Sequence, residues 1–396
     1  MNKNIKLYAY RSFFLFIISP FLSLPFIFID IYNRKKGALL CLALFMGILT
    51  YLLLPDWSLD LARYYQSYEL IKEYSFEEFK NYLSLRSDYV YYFLFFIFSR
   101  VGVKFQILLF CLSTFNFYIL FYIYNKVAVQ CSISNKEYFK KFILYLFSIA
   151  ILYYLSATRN SLACSFFLLF AYNYYFLNRK KRGIILLITA IITHISFLVY
   201  VPIMLIISLI KNKKGLIISS LLIFFLFSVI PVERFLNVFI GILPGFTQKA
   251  FIYLAEDRIG HWTLVLSHYL IILLGLIFLI SFYKKLDIRF LTLLTSLILA
   301  VILVFPFGFI TYDRYTFAFK PVLVLGLVIC SSNIVDLHSK RILYLIEKTA
   351  LFSFLLYFTY SFYLYRYNIM PYFSFENMFL LNILSTEYTL QDIFFL

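Results

Sequence analysis

The stretch Pro55-Asp56-Trp57-Ser58-Leu59-Asp60-Leu61-Ala62-Arg63-Tyr64-Tyr65-Gln66-Ser67-Tyr68 holds the densest set of chemically useful side chains in the chain. As a helix it puts Asp60 on one face with Arg63 at i+3 and Tyr64 at i+4. A carboxylate there, at a membrane edge, can take a proton from a sugar hydroxyl, and the aromatic rings can stack on sugar faces. The same residues also suit a helix start, with Asp56 or Ser58 as the cap and Trp and Tyr in an interfacial belt.

Arg159 lies in Ser156-Ala157-Thr158-Arg159-Asn160, between two apolar runs. An arginine so flanked is costly unless it meets an anion, a carboxylate or water. Its fork of donors matches a phosphate, and a lipid-linked diphosphate is an anion found at that depth. A snorkelling arginine at a helix end is the other reading. His194, in Ile191-Ile192-Thr193-His194-Ile195-Ser196, is a packing residue if its long apolar run is one helix. It becomes a proton carrier or phosphate donor if that run breaks beside a cavity. Tyr312-Asp313-Arg314-Tyr315 reads as a corner between spans, with Lys320 a little further on. There Asp313 either neutralises Arg314, or Arg314 with Lys320 forms a second cationic contact for phosphate.

Walker A, GxGxxG, HExxH and GxSxG patterns are all missing, so ATP hydrolysis, dinucleotide redox and metalloprotease chemistry have no motif. The five cysteines are scattered without a CxxC pair, and the four histidines do not cluster. Neither a disulfide frame, a metal site nor a cofactor is expected.

The elements that position these residues follow from composition. Of 396 residues, 63% are hydrophobic and only 14% charged, and 36 Lys+Arg against 19 Asp+Glu leave a net charge of +17. Water-soluble domains are about 25% charged and cannot hide this much apolar surface. Apolar segments recur to the end of the chain and are continuous rather than alternating, which favours helices over a barrel. An all-α, polytopic integral membrane protein is expected, one transmembrane domain over residues 1–396.

About twelve spans are expected: 12–31, 37–54, 89–103, 105–124, 142–157, 160–177, 183–210, 215–231, 263–283, 290–310, 315–333 and 349–365. The basic clusters Arg34–Lys36, Arg179–Arg182, Lys211–Lys214 and Lys284–Lys285 fall between apolar runs. That is where the positive-inside rule puts them, so no nucleic-acid partner is expected. Segments 89–103 and 183–210 are read as re-entrant or broken, which returns Arg179–Arg182 to the inside and turns Arg159 outward. Segments 55–88 and 232–262 then face outward as two large loops. The first holds seven of the 19 acidic residues, and the second recurs at helical spacing in the manner of interfacial helices.

With these residues in view, the chain resembles the EpsG-like branch of the Wzy-type bacterial polysaccharide polymerases. Asp60-x-x-Arg63-Tyr64-Tyr65-x-x-Tyr68 after the second span is similar to that family's pattern. So are Asp88 opening a short aromatic span, Arg159-Asn160-Ser161-Leu162-Ala163, His194-Ile195-Ser196 and Asp313-Arg314-Tyr315. Order and rough spacing agree over about 56–320. Where the family often carries a glycine before its aspartate, this chain has none, so Asp56 and Asp60 both stay in play.

The resemblance implies a glycosyltransferase C-like fold in the bacterial cytoplasmic membrane, with the active site facing outward. It implies transfer of a growing undecaprenyl-diphosphate-linked glycan onto another lipid-linked oligosaccharide, in O-antigen, capsule or exopolysaccharide synthesis, without a metal. Flippase and chain-length regulator proteins would be its partners beside membrane lipid. The proton acceptors expected are Asp60, then Asp56, then His194; Arg63, Tyr64, Arg159, Arg314, Tyr315 and Lys320 would bind substrate. A lipid-linked oligosaccharide flippase is the alternative, though it should show two matching halves and short loops. A membrane acyltransferase, a third class, would need a hydroxyl-acceptor geometry around its histidine.

Overall fold

The computed structural model describes residues 8–54, 60–229, 262–304, 309–334, 336–369 and 378–385. Asp56 and nearly all of the second polar segment, 232–262, lie outside the described residues. Among the described residues the chain is helical, with a lone bridge between Tyr8 and Lys36 and no strand.

Helices α1 (Tyr10–Ile18), α2 (Pro20–Tyr32) and α3 (Ala38–Tyr51) open the chain. The expected span 12–31 is therefore divided, because Ser19 is extended and caps α2, whose first residue is a proline. Two polar helices follow, α4 (Asp60–Glu73) and α5 (Phe76–Ser84), and then α6 (Tyr89–Arg100) and α7 (Phe105–Gln130). Next come α8 (Asn135–Ser148), α9 (Ile151–Ser156) and α10 (Thr158–Ala171), the last running into a π-helical turn over Tyr172–Phe176. Helix α11 (Lys180–Thr193), a 3-10 turn (Ile195–Val199), α12 (Tyr200–Ser208) and α13 (Lys213–Val229) complete the first part. The rest is α14 (Trp262–Phe282), α15 (Ile288–Val304), α16 (Phe309–Asn333), α17 (Leu337–Ile369) and α18 (Leu380–Ser385).

Among the described residues three helices are long and apolar enough to cross a membrane by themselves, Phe105–Gln130, Tyr312–Asn333 and Leu337–Tyr363, and several shorter apolar helices accompany them. Segment 142–157 is not one helix: it bends at Ile149–Ala150 and again at Ala157. Segment 183–210 breaks at His194. The corner expected at Tyr312–Tyr315 is instead part of α16. Nothing between Tyr312 and Tyr315 opposes helix; proline and glycine, the residue types that do, stand earlier in the sequence, at 306 and 308.

Packing explains why these breaks are tolerated. Arg34 donates to the carbonyls of Ile133 and Ser134 past the end of α7, while Gln106 at its start reaches the carbonyl of Tyr51 at the end of α3. Helices α3 and α7 thus lie antiparallel, in the most extensive helix pairing among the described residues. Helix α16 runs through the middle and touches α7, α8, α10, α14, α15 and α17. Its side chains from Phe317 to Val328 are almost all buried, apolar ones dominating. Helix α4 presents Leu61, Tyr64, Tyr68 and Ile71 inward, the i, i+3, i+7 stripe of an amphipathic helix, and packs on α6. Tyr68 stacks edge-on to Phe95 at 5.5 Å, and its hydroxyl donates to the carbonyl of Val103.

Candidate functional site

The site forms where α4, α6, α10, α16 and the His194 break meet. Asp60 opens α4, so its carboxylate can turn back onto the following turn. One oxygen accepts from Arg63 and the other from the Tyr64 hydroxyl at 3.3 Å. The helical face read from the sequence is therefore realised. Arg63 is largely exposed, whereas Tyr64 is buried and its ring meets Tyr91 of α6 at 5.1 Å.

Asp88 stands at the start of α6 without capping it. It is buried, and its Oδ2 accepts from Arg159 Nη1 at 2.6 Å. Arg159 is the second residue of α10, whose N-terminus is exposed to the site by the break at Ala157. Unpaired N–H groups and the helix dipole make such an end attractive to anions. The neighbouring Thr158 hydroxyl bonds that of Tyr91 at 2.5 Å, which fixes this end of α10 against α6. The guanidinium also lies 5.6 Å from the centre of the Tyr64 ring and within electrostatic reach of Asp60. Three buried groups here find no protein hydrogen-bond partner: Arg159 Nε, Asp88 Oδ1 and the Asn160 side-chain amide. Such groups are rare in folded proteins, and each calls for an explanation such as a bound water, an ion or a catalytic role.

His194 ends α11 in extended backbone, φ −154° and ψ 115°. Its Nδ1 accepts the Ser196 backbone N–H at 3.3 Å and lies 3.9 Å from Asp88 Oδ1. An accepting Nδ1 puts the proton of the neutral ring on Nε2. Tyr315 donates its hydroxyl to the Ser196 carbonyl at 3.0 Å, and Tyr200 donates to the Tyr315 carbonyl at 3.1 Å. Thus α16 holds the break open. Arg314, one residue earlier, shares a hydrogen bond with the Tyr153 side chain. It is also within electrostatic reach of Tyr64 and His194.

Asp60, Tyr64, Arg159, His194 and Arg314 therefore converge, although up to 254 residues separate them (314 minus 60). Tyr315 supports the site with its hydroxyl already engaged. Lys320 sits apart from this group: it is buried, with Nζ 3.8 Å from Asp313 Oδ1 and 4.0 Å from the centre of the Tyr357 ring. Asp313 in turn accepts from Tyr357 at 2.6 Å, so it faces Lys320 and Tyr357. Asp88 is central here, although the sequence offered it only as a position similar to the family's pattern, before a short aromatic span, and gave it no binding or proton-accepting role. Among the described residues no group of three or more His, Cys, Asp or Glu side chains stands close enough to hold a metal ion.

A helical membrane protein with two arginines and two carboxylates gathered around broken helices is the class that fold and site define. The family model described as the EpsG family matches residues 39–374, and the chain belongs to that family. No curated protein and no solved structure matches the chain. EpsG membership and the apolar helices together point to a membrane protein of polysaccharide biosynthesis with a polymerase-like, glycosyl-transferring role.

Proposed function

We propose that the chain is a polysaccharide polymerase. It transfers a growing glycan from undecaprenyl diphosphate to the terminal sugar of a second lipid-linked repeat unit, at the outer face of a bacterial cytoplasmic membrane. The observation that carries this reading is the convergence of Arg159 and Arg314 with Asp60, Asp88 and His194 on one partly buried site. Breaking a glycosidic bond to diphosphate builds negative charge on the leaving oxygen. Two guanidinium groups and an open helix N-terminus are suited to hold it, in place of a metal ion. The acceptor hydroxyl must lose a proton as it attacks the anomeric carbon. Asp60, Asp56 and His194 are the acceptors within this reading, and Arg63 and Tyr64 orient Asp60. Arg63, Tyr64, Tyr315 and Lys320 complete the substrate-binding set. The first polar segment, 55–88, faces outward. A flippase supplies the substrate and a chain-length regulator works beside the enzyme.

Deletion of the gene in its parent strain, followed by gel analysis of surface glycan, tests the reading. Single-repeat material without long chains is expected. Complete loss of surface repeats would make the chain a flippase instead, and unchanged long chains would refute both.

A further inference from the structure

The unused oxygen of Asp88 narrows the choice of proton acceptor. Both oxygens of Asp60 are engaged, by Arg63 and by the Tyr64 hydroxyl. Asp88 is different. Its Oδ2 holds Arg159, but its Oδ1 is buried with no protein donor, and His194 Nδ1 lies 3.9 Å from it. A buried carboxylate oxygen left without a donor is unfavourable, so a state that satisfies it is favoured. Closing the gap to an ordinary hydrogen bond takes a ring movement of about 1 Å. The opposing contact, the 3.3 Å bond from the Ser196 N–H, is long and weakly held.

We propose that Asp88 and His194 form the proton-accepting pair of this site, with Asp88 passed from Arg159 to His194 when the diphosphate arrives. This rests on the polymerase reading above and specifies its base. Bound diphosphate takes the Arg159 fork, leaving Asp88 without its cation. The His194 proton then resides on Nδ1, donated to Asp88 Oδ1, and Nε2 presents a lone pair. The acceptor's O–H bond breaks with its proton moving to Nε2, and its oxygen bonds to the anomeric carbon. The bond from that carbon to the diphosphate oxygen breaks, and the electron pair leaves on phosphate, held by Arg159 and Arg314. The resulting imidazolium is balanced by Asp88. A base oriented by a third group in this way is the general logic of activated acyl and glycosyl transfer. The charged groups that face His194 are Asp88 from α6, Arg159 from α10 and Arg314 from α16. The two arginines oppose a protonated ring, so the carboxylate is what makes the proton transfer feasible.

The test uses the full-length protein in lipid nanodiscs, with lipid-linked repeat units extracted from the deletion strain as substrate. Rates are followed against pH for His194→Gln, Asp88→Asn, Asp88→Glu, Asp60→Asn and Arg159→Ala. Each variant is first checked for a monodisperse elution profile, and His194→Ala replaces His194→Gln if that one aggregates. His194→Gln and Asp88→Asn are expected to lower kcat by about 100-fold or more, the range lost with a general base. Asp88→Asn should also shift the acid limb of the rate–pH curve to lower pH, and Asp88→Glu should restore part of both. If Asp88→Asn raises only the KM for the lipid-linked donor and leaves the acid limb in place, Asp88 merely holds Arg159 and the proposal is overturned. An acid limb that survives in His194→Gln but vanishes in Asp60→Asn assigns the base to Asp60 and also overturns it. Full activity in Arg159→Ala would overturn the hand-over of Asp88 from Arg159, whereas no elongation by the unaltered protein at any pH would mean that the polymerase reading itself has failed.

Discussion

Replacing Arg159 by lysine keeps the charge but removes the fork, and so separates two things that alanine removes together. In the structure Arg159 gives Nη1 to Asp88 at 2.6 Å and keeps Nε buried without a protein partner. A diphosphate can therefore receive at least two parallel N–H bonds from it, whereas an ammonium offers a point contact. One charge-assisted hydrogen bond is worth about 1.5–3 kcal/mol. At about 1.4 kcal/mol per decade, Arg159→Lys should slow transfer roughly 10- to 100-fold. Arg159→Ala does more. It deprives the buried Asp88 of its hydrogen-bonded cation, a loss of about 3–5 kcal/mol for a broken buried pair, so protein levels should fall too. The assay is the glycan ladder from complemented deletion cells, scaled to the amount of protein in the membrane fraction. Scaled in this way, lysine should be nearly as damaging as alanine. A full-length ladder from Arg159→Lys at normal protein level refutes the forked diphosphate contact.

Other expectations follow from the same coordinates. Glu347 is buried between Lys141, also buried, and Lys140, whose Nζ lies 2.9 Å away, joining α8 to α17. Glu347→Gln should destabilise the purified protein by about 3–5 kcal/mol in thermal unfolding, with the glycan ladder per folded molecule unchanged; an unshifted melting curve would contradict it. Ser75 and Glu78 form a capping box at the start of α5, and the hydrogen bond from the Ser75 backbone holds the Glu78 carboxyl below its ordinary range. A depressed carboxylate stabilises above the ordinary glutamate range and loses that effect as pH falls through its lowered value. Protection from hydrogen exchange at the start of α5, taken relative to the intrinsic exchange rate at each pH, should therefore fall at acid pH and not at neutral pH. Lys80 is exposed on α5. On a background without the five native cysteines, Lys80→Cys should react with an impermeant maleimide in intact spheroplasts; labelling only in inverted vesicles would reverse the proposed orientation.

The sequence by itself determined the helical class, because continuous apolar runs leave no other way to satisfy backbone groups in a lipid setting. It also determined the Asp60–Arg63–Tyr64 face, since i+3 and i+4 neighbours meet on any helix. Helix ends with strong local chemistry, such as Ser19-Pro20 and Ser75–Glu78, are written in short patterns of the same kind. Tertiary structure alone decided three other things. Loop charge predicts a break somewhere in 183–210, but its place at His194, among Ile191, Ile192, Thr193 and Ile195, has no proline or glycine to announce it. It persists because Tyr315, from a helix more than a hundred residues away, bonds to the Ser196 carbonyl. The corner expected at Asp313–Arg314 became part of α16, which is packed on six neighbouring helices, and this turned Asp313 toward Lys320 and Tyr357. Asp88 and Arg159, 71 residues apart, were joined only when α6 and α10 came together. A charge pair of that separation leaves no periodic trace, because what selects it is the cost of burying either charge alone, and burial is a property of the folded chain.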